Sequence, residues 1–338
     1  MRLENVLALT HAKLLNKPFV SNFTDIVFDV KNVKRGDLFL AFDESKIEDA
    51  ILNGAYGIVF SKPTQITDSE IAWIKVQSLE DALKRLLRFK LLDKDIKVYE
   101  TNEIVLKLAL QVITEPSFIA ISGNILDIAK QLWNIEDSSC ILFCPNLSDK
   151  DIFTKTIELS NTTYKNIDII EQTLFETSFI YNDVFYERQL ISPFFIPYLE
   201  ILLHLFKNIK VNYRLRKFTP IGHFEAVFTN KRFEIKEFGT SDKVLIFEKN
   251  STLVESQITF LQSGATWAKI VYVVPHHDTK LIEKIQNKES LIIYKNKNEI
   301  LNSLKEYHFH FALVLGTDKS ILEKHLNLQM QPSLFDFK

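Results

Sequence analysis

FIAISGNILDIAKQL, residues Phe118–Leu132, is the stretch whose reading decides the fold. It has the form of a short apolar strand, one tight turn carrying Gly123, and then a helix starting near Asp127. Strand, turn and helix in this order form the frame on which mononucleotide-binding loops are built. The residue types that handle phosphate are absent. A loop of the Walker form needs a second glycine, then Lys, then Ser or Thr, so that backbone amides face the phosphates and a hydroxyl reaches the metal. In a gapless comparison those positions fall on Leu126, Asp127 and Ile128.

The charge change has a size. A lysine about 4 Å from a phosphate gains roughly 4 kcal/mol at an effective dielectric near 20, and an aspartate there repels by a similar amount. Lys130 lies one helical turn further on and points away from the loop mouth. The stretch predicts that ATP is not bound here in the usual manner. A plain Ser-Gly turn in an ordinary α/β domain is the other reading.

Composition sets outer bounds. The 338 residues suffice for two or three domains, and 46% hydrophobic with 25% charged describes a globular chain. A formal charge of −2 argues against a general nucleic-acid or polyanion binder. Met1–Asn16 carries Glu4 and no long apolar run, so no signal peptide is expected. Leu190–Phe206 is interrupted by Pro193, Pro197, Glu200 and His204 and predicts a buried helix, not a membrane span. The expected compartment is the cytoplasm. Cys140 and Cys144, in CILFC, read as a reduced, partly buried pair, because metal sites use a second pair. Only 8 glycines occur, about one third of average usage, and loops that bring backbone to phosphate depend on glycine.

Residues 1–92 read as a first domain. Helices are expected at Leu3–Leu15, Ile47–Asn53 and Ser78–Leu92, with strands at Ile26–Val30, Asp37–Phe42, Gly57–Phe60 and Ile71–Val76. The blocks Asp29-Val30-Lys31, Gly36-Asp37-Leu38-Phe39-Leu40-Ala41 and Gly54-Ala55-Tyr56-Gly57-Ile58-Val59 follow in that order. Together they resemble the N-terminal domain of the Mur ligases, nearest the branch that adds D-alanyl-D-alanine to a UDP-N-acetylmuramoyl tripeptide. That family reads D-S-R, then G-D-L-F-v-A, then G-A-x-x-v-v. Its Ser-Arg, which contacts the UDP-sugar, is replaced by Val30-Lys31, so Asp29 and Lys31 are what remains of that site. The glycine-containing loop after the second block is reduced to Asp43-Glu44-Ser45.

The resemblance extends along the chain as architecture and departs at each motif. It implies a shortened central domain over residues 93–237, where Ser122 and Gly123 match the first two residues of the family's T-G-x-x-G-K-T loop and Asn124 and Asp127 depart from it. Over residues 238–328, strands Lys243–Glu248, Lys269–Val274, Leu291–Tyr294 and Phe309–Leu315 alternate with helices, as in the family's C-terminal Rossmann-like domain. The family's D-x-Y-x-x-N-P-x-S falls on Glu248–Ser256, keeping only the acidic start and Ser256.

Other clusters are read as structural. His276-His277-Asp278 reads as a polar turn with Asp278 capping a helix, and His308 with His310 as one face of a half-exposed strand. The tail, residues 329–338, carries Gln331, Leu334 and Phe335, which resemble the bacterial sliding-clamp binding peptide; the bland alternative is that Leu334, Phe335 and Phe337 pin the tail to its own domain.

The fold expected is therefore α/β, a three-domain Mur-ligase-like architecture with a reduced central nucleotide-binding-type domain. The function expected is that of a pseudoenzyme, a binding or scaffolding protein of peptidoglycan precursor synthesis. It would have no cofactor and no metal, and its partner would be a Mur ligase or another cell-wall precursor enzyme. The alternative is an ATP- and Mg-dependent amide-bond ligase in which Ser122, Gly123 and Asn124 hold phosphate.

Overall fold

Helix α3, Leu79–Leu91, shows how the sequence builds the first part of the fold. The Ser78 side chain accepts from the Asp81 amide, Glu80 and Asp81 sit in the first turn, and Arg88 and Lys90 sit in the last. Leu79, Ala82, Leu83, Leu86, Leu87 and Leu91 recur at helical spacing and are all buried. The computed structural model describes residues 1–145, 150–159, 164–215, 217–285 and 288–323.

The chain divides into two compact units. The first comprises Met1–Asn161 with Phe206–Arg214, and the second Thr162–Leu205 with Leu215–Lys338. In the first unit, α1 (Leu3–Thr10), α2 (Ile47–Leu52) and α3 flank a sheet of β1 (Lys13–Leu14), β2 (Ile26–Val27), β3 (Leu38–Leu40), β4 (Gly57–Phe60) and β5 (Ala72–Lys75). Its order is β1-β5-β4-β3-β2, parallel except for β1. Helix α1 stops at Thr10, short of the expected Leu15, because His11 turns into the left-handed region (φ 51°) and the next residues pair with β5.

A second sheet in the same unit holds β6 (Lys97–Glu100), β7 (Phe118–Ile121), β8 (Cys140–Phe143) and β9 (Ile157–Glu158), all parallel in the order β7-β8-β6-β9. Helices α4 (Glu103–Val112) and α5 (Ile125–Leu132) connect its strands. One apolar core serves both sheets: Leu40, Ile74, Leu83 and Leu87 pack in the same cluster as Ile121, Ile128, Leu132 and Phe143. A second cluster, around Phe39, Phe60 and Trp73, covers the opposite face of the first sheet. The CILFC run is the buried parallel strand β8, with Cys140 half-buried and Cys144 buried.

The second unit opens with an antiparallel meander of β10 (Asp168–Gln172), β11 (Thr177–Tyr181) and β12 (Val184–Gln189). Helix α6 (Ile196–Ile209) follows, its Ile196, Leu199, Leu202 and Leu203 buried. The last sheet is β13 (Glu225–Thr229), β14 (Lys243–Glu248), β15 (Ile270–Pro275), β16 (Leu291–Tyr294) and β17 (Phe311–Leu315), in the order β13-β14-β17-β15-β16. Only β13 runs antiparallel. Helices α7 (Val254–Gly264), α8 (Thr279–Lys284) and α9 (Ile300–Lys305) make the crossovers. No helix among the described residues is long and apolar enough to cross a membrane.

Candidate functional site

The turn between β7 and α5 consists of Ser122, Gly123 and Asn124 alone. A loop that wraps phosphate in the G-x-x-x-x-G-K-S/T manner spans roughly twice that before its helix is under way. Gly123 takes φ +106°, a conformation open to glycine, and the chain then enters α5 at once. Asn124 caps the helix: its Oδ1 accepts from the amides of Leu126 (3.0 Å) and Asp127 (3.1 Å). Those are the donors that face an anion at a helix N-terminus. Here a side chain of the same turn engages them.

Asp127 closes the other side. A Cβ placed on Gly123 would lie 3.0 Å from both Cβ and Oδ2 of Asp127, so the carboxylate stands directly against the turn. The negative charge favoured at a helix N-terminus is thus supplied from within. Gln131 donates to the carbonyl oxygens of Ser122 (3.3 Å) and Asp127 (3.2 Å), tying the strand end to the helix. Ser122 is half-buried and Lys130 is exposed. The four residues named from the sequence come together, and their polar atoms largely engage one another.

Asp29 and Lys31 lie at the end of β2, both exposed. The Asp29 carboxylate accepts from the Lys31 amide at 3.0 Å and caps the short helical turn Val30–Asn32. After β3, Asp43 caps Glu44–Lys46 by accepting from the Ser45 amide and hydroxyl, contacts that hold its carboxyl below the usual range. These loops are closed by local carboxylate caps. Gln331, Leu334 and Phe335 lie outside the described residues.

The run from Glu248 holds a constellation that sequence reasoning missed. Glu248, at the C-terminal end of β14, is 1% exposed, and its carboxylate accepts from the Phe224 amide (3.1 Å), the Asn250 amide (2.8 Å) and Gln257 Nε2 (2.5 Å). His223 Nδ1 lies 2.9 Å from Oε1. Burial alone would raise the Glu248 pKa; hydrogen bonds from His223, Asn250 and Gln257 outweigh it and hold the carboxyl below its usual value. Phe224 reaches this position at φ 46°, left-handed for a bulky residue, which costs on the order of 1–2 kcal/mol. The Gly222-His223-Phe224 sequence was the signal, and a lone histidine gave no reason to join it to Glu248. The arrangement is an internal lock, with no face turned to solvent.

Asp278 caps α8 by accepting from the Leu281 amide, and His276 and His277 are exposed in the turn before it. His310 Nδ1 accepts from the Lys269 amide at 2.9 Å while His308 is exposed. Among the described residues no three His, Cys, Asp or Glu side chains converge as a metal site.

Compared with solved structures, this chain has the Mur ligase fold. It is similar to MurF from Acinetobacter baumannii over 97% of this chain and 98% of that one, with TM-score 0.53 and 11% identity. MurF ligase from Thermotoga maritima, in complex with ADP, is similar over 90% of this chain and 96% of that one, at TM-score 0.48 and 12% identity. No protein-family model and no curated protein matches the sequence.

Proposed function

We propose that this chain is a non-catalytic protein on the Mur ligase fold, a binding or scaffolding component of cytoplasmic peptidoglycan precursor synthesis. The observation that carries the reading is the β7–α5 turn, whose helix amides are capped by Asn124 and whose mouth holds the Asp127 carboxylate. A triphosphate does not fit that donor set: the amides already have an acceptor, and the nearest charge is negative. The caps at Asp29 and Asp43 support the reading for the sugar-nucleotide end. Its partner is an enzyme that makes cell-wall precursors, a Mur ligase first among them.

Titration calorimetry with ATP and Mg²⁺, run on the unmodified protein and on Asp127→Lys, tests this. No binding heat is expected from either at millimolar nucleotide, since the substitution leaves the short turn and the Asn124 cap in place. Micromolar binding by the unmodified protein would overturn the reading and favour an ATP-dependent ligase, to be assayed with UDP-N-acetylmuramoyl peptides and D-alanyl-D-alanine.

A further inference from the structure

Helix α3 buries its apolar stripe, yet Phe89 falls off that stripe at 40% exposed and Leu92, just beyond the helix, is 53% exposed. With Leu9 of α1 they line an open groove of about 450 Å³. Its rim carries Arg85 and Arg88, which make no ion pair among the described residues. Lys84, by contrast, is paired with Asp151 at 3.4 Å. Two exposed apolar side chains, a third (Leu9) packed only partly into the core, and two guanidinium groups in a lining that also holds Asp81 and the Lys84-paired Asp151 are the composition of a contact surface.

The complementary surface is on the same chain. In the β10–β12 meander the register slips between Ile169 and Glu171, leaving Ile170 as the extra residue. Asp168 therefore pairs with Ile180 and Glu171 with Ser178, which puts both carboxylates on one face of the sheet. Phe185, opposite Ile180, shares that face and is 54% exposed; the bulged Ile170, on β10 across the central strand, is 58% exposed. Asp168 and Glu171 are themselves exposed and make no ion pair among the described residues. Residues two pleats apart on one strand face are about 7 Å apart, and side chains three apart on a helix about 5–6 Å, so the two charge pairs match in spacing.

We infer that the α3 groove of one copy of this chain receives the outer face of the β10–β12 sheet of a second copy. Arg85 and Arg88 meet Asp168 and Glu171, and Phe185 and Ile170 cover Phe89, Leu92 and Leu9. The two patches differ, so the contact is heterologous. It does not rest on the functional reading above.

Sedimentation equilibrium over a range of concentrations, at low and high salt, tests the contact. The mass is expected to rise with concentration and to rise less in high salt. The charge reversals R85E/R88E and D168K/E171K should each weaken association at least tenfold, and an equimolar mixture of the two should associate again, since each variant's groove is then complementary to the other's sheet. The single change Phe185→Ser should weaken association without touching charge, and circular dichroism should show each variant folded. A mass fixed at one copy up to the solubility limit overturns the inference. So does association that survives either charge reversal, or folded reversed proteins that do not associate when mixed.

Discussion

The Trp133 indole Nε1 donates to the Asp25 carboxylate across 3.2 Å, joining the end of α5 to the start of β2 over 108 positions of sequence. Lys90 of α3 completes the cluster, 3.6 Å from Asp25 and 4.4 Å above the Trp133 ring. Phe28 meets the same indole edge-on at 4.8 Å. Each of these elements borders the shared core of the first unit, so the cluster fastens its two sheets at their rim.

Removing the carboxylate should loosen that rim. Asp25→Ala strips the acceptor from the Trp133 indole and from the Ile26 amide, and leaves Lys90, whose pKa burial already lowers, without its anion. A loss of about 1–3 kcal/mol is expected, the cost of leaving partly buried donors unsatisfied. Asp25→Asn, which keeps an acceptor oxygen, should lose less. Urea unfolding followed by Trp fluorescence reads both.

The turn before α5 makes a second prediction. Asn124→Ala removes the acceptor from two helix amides and should cost about 1 kcal/mol, while Asn124→Ser should retain most of it. If an anion rather than the side chain were the main cap, added phosphate or ATP would stabilise the unmodified protein. Thermal unfolding with and without nucleotide separates the two, and no nucleotide-dependent shift is expected.

Glu248 gives the acid limb of the stability curve. Its carboxyl is held below the ordinary value in the folded chain, so the unfolded chain binds its proton first as pH falls. The contribution is complete above the unfolded value of about 4.3 and is lost as pH drops through the lower folded value. Asp318, held low chiefly by its hydrogen bond with Lys249, adds a smaller loss of the same sign because it is only half-buried and its partner Lys249 is exposed. Glu248→Gln places an amide where four donors converge and should destabilise by about 3 kcal/mol at neutral pH. Its stability should also fall less steeply than the unmodified protein's below pH about 4. Denaturant titrations at several pH values decide it.

Much of this fold was legible because its strands are short apolar runs between helices with clear caps. Ser78, Asn102 and Asp278 each cap the helix they precede. Strand β6 was not legible: Lys97–Glu100 has charged residues at both ends, and its Val98 and Tyr99 are buried only because β8 and β9 flank it. At the turn, the sequence placed Ser122, Gly123, Asn124 and Asp127 together, whereas the capping by Asn124 is a matter of side-chain direction. The His223–Glu248 lock spans 25 positions and leaves no periodic trace.

The scarcity of glycine explains where a helix end escaped the sequence reading and yields the last prediction. Helix α1 ends with His11 at φ 51°, and the Ala12 amide bonds to the Leu7 carbonyl at 3.1 Å, the pattern that usually places glycine at the left-handed position. With histidine there, the sequence reads as continuing helix. The His11 side chain is exposed, so little packing is lost when it is removed. His11→Gly should therefore stabilise the protein by about 0.5–1 kcal/mol, relief of left-handed strain outweighing the added freedom of the unfolded chain. The urea midpoint should rise with an unchanged slope; a fall would mean that the imidazole makes a contribution at the helix end larger than the strain it imposes.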